Sequence, residues 1–188
     1  MTLRMSARAR WWALLGAVLV VSMTLGIYMG RLNRETLISD VNIPQAAVAH
    51  FFTTQLSDSL GTPQALAQWQ GKPLVINFWA TWCSPCREEM PAFSRLQEKH
   101  AVNGVQFVGI ALDTPENVAT YLKQVHVSYP LLMAESEGME LTQQLGNSRL
   151  ALPYTVVLDA TGKPRLTHLG KVPEQELDVL LEKIALRN

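Results

Sequence analysis

The chain has 188 residues, 48% of them hydrophobic, with 16 basic and 16 acidic residues and a formal net charge of zero. That is enough for one domain of ordinary size with a real core, plus short extras. The first 30 residues hold Arg4, Arg8 and Arg10 and no acid, so the remainder carries 13 basic against 16 acidic residues, a net of −3, and offers no basic patch for nucleic acid.

Residues 11–29 run for 19 positions without a charge, about 28 Å as a helix at ~1.5 Å per residue. Trp11 and Trp12 at one end and Tyr28 at the other suit the edges of a bilayer. Residues 1–30 are therefore predicted to be a cytoplasmic tip and a membrane anchor. A cleaved signal peptide is the rival reading, but Ile27-Tyr28-Met29-Gly30-Arg31 lacks an obvious cleavage site. The arginine excess before the span puts the N-terminus in the cytoplasm and everything after the anchor outside. Residues 31–50 lack strong periodicity and read as a linker with some helix, leaving 51–188 as the folded domain. Residues 63–70 read as a short helix with Trp69 in the core.

Gly71 and Pro73 precede Val75-Ile76-Asn77-Phe78-Trp79, a short apolar run rich in β-branched and aromatic residues that reads as a buried strand. Thr81-Trp82 turns the chain, and Pro85 suits the first turn of a helix. Met90, Phe93 and Leu96 then recur at helical spacing toward residue 101. This places Cys83 at a helix N-terminus, where unpaired N–H groups and the helix dipole favour a thiolate, the attacking species in disulfide exchange. Cys86, one turn further in, is near enough to resolve a mixed disulfide formed at Cys83. Cys83 is thus predicted to be the exposed nucleophile and Cys86 the more buried resolving thiol. They are the only cysteines, too few for a disulfide framework. His50, His100, His126 and His168 add no ligand-spaced pair, so no metal site is expected.

Beyond this helix, residues 105–112 read as a buried strand. Thr114 and Pro115 open a helix running to about residue 125, with Thr114 as N-cap. Residues 129–132 form an extended piece and 137–145 a helix. Residues 154–158 and 165–169 pair across the turn Asp159-Ala160-Thr161-Gly162. A closing helix buries Leu177, Leu180, Leu181 and Ile184. Strands alternating with helices, then a terminal hairpin, give an α/β fold with a central mixed sheet flanked by helices.

Trp82-Cys83-Ser84-Pro85-Cys86 after an apolar strand resembles the thioredoxin superfamily. With Asn77-Phe78-Trp79-Ala80-Thr81 before it and Glu88-Glu89-Met90-Pro91 after it, the stretch is similar to the membrane-tethered TlpA/ResA-like thiol-disulfide oxidoreductases. The resemblance covers residue 51 to the C-terminus, and an N-terminal anchor is typical of the family. It implies a thioredoxin-like fold with an opening β-hairpin, here 51–56 with the turn Asp58-Ser59-Leu60-Gly61-Thr62, and an αβ insertion after the active-site helix. It implies that Pro91 kinks that helix, that Glu89 tunes the proton chemistry of the cysteines, and that Pro153 is the cis-proline facing them. Trp82, Leu152 and Pro153 are expected to border the substrate groove. Trp79 either frames that groove or fills core.

Many cytosolic thioredoxins carry an aspartate six residues before the first cysteine; here Asn77 stands there and cannot take a proton, which leaves Glu89 as the candidate base. Glu89 also reads as an ordinary solvated helix carboxylate. The resemblance implies no cofactor beyond the Cys83–Cys86 disulfide. It implies reduction of extracytoplasmic protein disulfides, in apocytochrome c or respiratory copper-site proteins, with electrons from a transmembrane dithiol carrier. Two rival readings fit the motif less well. A peroxidase of the same fold expects a threonine three residues before its cysteine, where Ala80 stands. A copper-binding assembly factor expects wider cysteine spacing and a matching histidine.

Overall fold

The computed structural model describes residues 42–186, with the side chain of residue 136 excepted, together with helical positions 12, 16–17, 20–24 and 26 upstream. Two compact units divide the chain, Met1–Ser39 and Asp40–Asn188. The expected anchor at 11–29 and the first part of the expected linker, 31–41, lie largely outside the described residues. Among those described, no helix is long and apolar enough to cross a membrane.

The second unit begins with α1 (Gln45–Thr53), followed by β1 (Gln55–Asp58) and β2 (Pro63–Ala65), a 3₁₀ turn (Leu66–Trp69), and β3 (Leu74–Trp79). Then come α2 (Ser84–His100), β4 (Gln106–Ala111), α3 (Pro115–Leu122), β5 (Leu131–Met133) and α4 (Glu135–Gln144). The chain closes with β6 (Tyr154–Leu158), β7 (Pro164–Leu169) and α5 (Glu174–Ala185). The strands form one sheet in the order β2-β1-β5-β4-β3-β6-β7. β3 runs parallel to β4 and antiparallel to β6, and β5 runs parallel to β4. This is the expected thioredoxin-like mixed sheet with its opening hairpin.

The period of two along β3 divides the core. Leu74, Ile76 and Phe78 enter one apolar cluster with Val48 and Phe51 of α1 and Leu141 of α4. Val75 and Trp79 enter the other with Met90 and Phe93 of α2, Val118 of α3, and Leu177 and Leu181 of α5. The central strand is buried on both faces along its whole length, the polar Asn77 included.

Several boundaries differ from the sequence reading. Residues 45–53 form one helix, which takes up the helix expected late in the linker and also the start of the expected strand, because Val48, Phe51 and Phe52 share one helical face and are buried. The opening strand accordingly begins at Gln55. Residues 63–65 are a strand rather than helix, since they pair antiparallel with β1, and only Leu66–Trp69 turn helically. α3 ends at Leu122, short of 125, although Thr114 caps it as expected, its hydroxyl accepting from Asn117 N. α4 begins two residues early, at Glu135. Trp69 is core, and so is Trp79, fully buried against Tyr121 with ring centroids 5.6 Å apart.

Candidate active site

β3 and β4 are parallel, so their carboxyl ends open on the same edge of the sheet, the usual place for a site in an α/β sheet. β3 delivers Ala80 and then the turn Thr81-Trp82. Thr81 donates both its amide and its hydroxyl to Asp113 Oδ2, just past the end of β4. The other oxygen of Asp113 accepts from Thr114 N and from Asn117 Nδ2, both at 2.8 Å. Burial opposes the charge on Asp113, but these hydrogen bonds outweigh it and hold the pKa below the ordinary aspartate value. Asp113 therefore works as a fixed anion that ties the reactive turn to β4 and α3.

Cys83 is the N-cap of α2, in extended backbone conformation, with Pro85 in the first turn. Its Sγ accepts from Cys86 N at 3.3 Å. An amide aimed at this sulfur at a helix N-terminus favours negative charge there. Cys83 and Cys86 are disulfide-bonded, Cα–Cα 5.3 Å. Cys83 is the more accessible of the two, as expected, but it is only 5% exposed and Cys86 is wholly buried. The expectation of an exposed nucleophile is corrected to that extent: Cys83 is itself buried.

Glu89, one turn beyond Cys86, is fully buried, so its reading as a solvated helix carboxylate is wrong. Residues three apart on a helix share a face, which puts its carboxyl on the cysteine side of α2. Asn77 Nδ2 donates to Glu89 Oε1 at 2.9 Å, and Val172 N donates to Oε2 at 3.2 Å. Burial raises its pKa from 4.5 to about 7, against the opposing pull of the Val172 amide, Asn77 and the Lys171 charge. That value suits proton transfer near neutrality. Pro91 lies inside α2, as expected.

Trp82 is 69% exposed. It shares a shallow groove of about 400 Å³ with Met139, Leu150 and the half-buried Leu152, with Asp113 and Glu135 adding acidic groups. Trp82 and Leu152 thus come together as expected. Pro153 is buried rather than part of the groove wall, and the Leu152–Pro153 peptide is cis. The Pro153 carbonyl accepts from Gly170 N at 2.8 Å. The segment after β7 therefore ties both to the cis-proline loop through Gly170 and to Glu89 through Val172.

The sequence reading missed Asp113, Val172 and Thr155, whose hydroxyl accepts from Asn77 Nδ2 at 3.1 Å. Only Asp113 carried a signal, as an acid directly after an apolar strand parallel to the one leading into the cysteines. Val172 acts through its backbone, which a side-chain motif cannot reveal.

Comparison with known proteins agrees with this geometry. Residues 42–183 match the family model described as Redoxin. The chain is 31% identical over 172 residues to the thiol-disulfide oxidoreductase ResA of Bacillus cereus (strain ATCC 10987 / NRS 248), covering 89% of this chain and 92% of that protein. Among solved structures, a thioredoxin-related protein from Neisseria meningitidis serogroup B is 37% identical with a TM-score of 0.63, covering 71% of this chain and 99% of that one. A thiol:disulfide interchange protein of the thioredoxin family from Chlorobium tepidum TLS is 30% identical with a TM-score of 0.63, covering 70% and 92%. A reactive turn feeding a helix capped by the first of two cysteines, on a sheet shared with these relatives, places the chain in the Redoxin family, as a thiol-disulfide oxidoreductase of the ResA type.

Proposed function

We propose that the Cys83–Cys86 pair is a redox dithiol that reduces disulfides of extracytoplasmic proteins. The observation that carries this reading is the bonded pair at the N-terminus of α2 with a buried carboxyl, Glu89, one turn on. The Cys83 thiolate attacks one sulfur of the substrate disulfide, forming a mixed disulfide and releasing the other sulfur as a thiolate. Cys86 gives its proton to Glu89 and attacks Cys83 Sγ. The Cys83–substrate bond breaks, the Cys83–Cys86 bond forms, and the two released substrate thiolates take protons, one returned by Glu89 and one from solvent. Two enzyme thiols are oxidised and one substrate disulfide becomes two thiols. Trp82 and Leu152 border the bound segment, and Pro153 lies buried behind Leu152.

The family resemblance supports a chain held to the membrane by residues 11–29, with the domain on the outer face. A transmembrane dithiol carrier then restores the reduced state, and the substrates are cysteines of apocytochrome c or of respiratory copper sites. With a disulfide-bonded substrate protein, Cys86→Ser is expected to accumulate a mixed disulfide on Cys83, seen as a mass adduct that dithiothreitol removes. Cys83→Ser is expected to accumulate none. The reduction potential tests direction. A value near that of thioredoxin, about −270 mV, supports the reducing role, whereas one near the −120 mV of a strong oxidant overturns it.

A further inference from the structure

Asn77 lies within β3, 1% exposed, where its side chain reaches Glu89 of α2 and Thr155 of β6. Its Nδ2 donates to both, while its Oδ1 is buried and has no hydrogen-bond partner. A buried acceptor without a donor is costly, and native structures rarely leave one. The two forms of Glu89 make opposite demands. The carboxylate only accepts hydrogen bonds, whereas the acid carries an O–H that needs an acceptor. The observed arrangement, with donors from Asn77 and Val172, serves the carboxylate alone.

We propose that Asn77 is a two-way positioning residue, whose amide donates Nδ2 to ionised Glu89 and turns half a revolution to offer Oδ1 to protonated Glu89. In the turned position Oδ1 stands between Glu89 and Thr155 and accepts from both hydroxyls. Either protonation state of a fully buried carboxyl then has a partner, so Glu89 can take and return a proton without water entering the core. An aspartate at this position only accepts when ionised and sets a second negative charge against Glu89. The other charged or titratable groups that Glu89 feels are Lys171, paired with Glu88 at 3.2 Å, and the buried phenol of Tyr129. The sulfurs do not titrate in the disulfide. The inference rests on the disulfide-exchange reading for its use in the reaction. Its test reads the Asn77–Glu89 pair directly, and holds whether or not the chain reduces a disulfide.

The test uses the full-length oxidised protein with ¹⁵N-labelled asparagine and ¹³C-labelled glutamate carboxyls, titrated from pH 5 to 9 by NMR. The Asn77 side-chain signals, assigned by their loss in Asn77→Val, are expected to move with the same midpoint as the Glu89 carboxyl. Their nuclear Overhauser contact to Thr155 is expected at high pH and absent at low pH. In Glu89→Gln the Asn77 signals are expected to stay fixed throughout. A contact to Thr155 that persists across the titration, or Asn77 signals that ignore the Glu89 midpoint, overturns the proposal. Should the valine variant fail to fold, Asn77→Ser serves for assignment and the wild-type titration decides.

Discussion

Glu89 shows how far burial changes a single residue. A carboxyl raised from 4.5 to about 7 binds its proton more tightly in the folded chain than in the unfolded one. Its contribution to stability is therefore complete below pH 4.5 and is lost as pH rises through 7. A shift of this size corresponds to about 3 kcal/mol at most. Glu89→Gln, neutral at every pH, is expected to match the wild type at pH 4 and to exceed it by up to about 3 kcal/mol at pH 8–9, read from denaturant midpoints. The same variant is expected to slow the resolving attack by Cys86 at neutral pH, so that the mixed disulfide lives longer. Cys83 and Cys86 were legible because their spacing and their place after an apolar strand identify the chemistry. The environment of Glu89 was not, because its partners lie on β3 and after β7, 12 and 83 residues away in sequence.

At the scale of elements, α2 and α5 are clamped by a polar seam as well as by the apolar face read from the sequence. Arg95 pairs with Glu174, and Lys99 with Asp178 and Glu182, on the exposed side. His100, 1% exposed, has Nε2 2.7 Å from Asp178 Oδ1, and its Nδ1 has no hydrogen-bond partner. Asp178→Ala leaves this buried ring without a partner on either nitrogen. It is expected to cost about 1–3 kcal/mol, whereas Arg95→Ala breaks only an exposed pair and is expected to shift the unfolding midpoint far less. Where the element reading failed, pairing overrode local preference. Gln64 and Ala65 favour helix by propensity, but β1 offers an antiparallel edge and the segment joins it. Phe51-Phe52-Thr53 looks like strand by composition, yet the spacing of Val48, Phe51 and Phe52 buries one helical face.

For the whole molecule, α1 is part of the folded domain rather than linker. Phe51 is fully buried in the cluster that also holds Leu74, Ile76 and Phe78 of the central strand. Phe51→Ala is expected to destabilise the protein by about 3–5 kcal/mol in thermal or denaturant unfolding, while a linker residue would cost almost nothing.

The sequence by itself determined the chemistry, the fold class and most of the sheet. Cysteine spacing, a buried strand and helical periodicity are local patterns, and each is set by residues close together in the chain. Only the tertiary structure decided which polar groups gather around the turn and helix that carry the cysteines. Asp113 reaches Thr81 because β4 lies parallel to β3, and Glu89 meets Asn77 and Val172 because α2 packs over the sheet beside the segment leaving β7. Burial and long-range hydrogen bonding arise only when distant segments close around a site, and these set the charge of Asp113 and the proton affinity of Glu89.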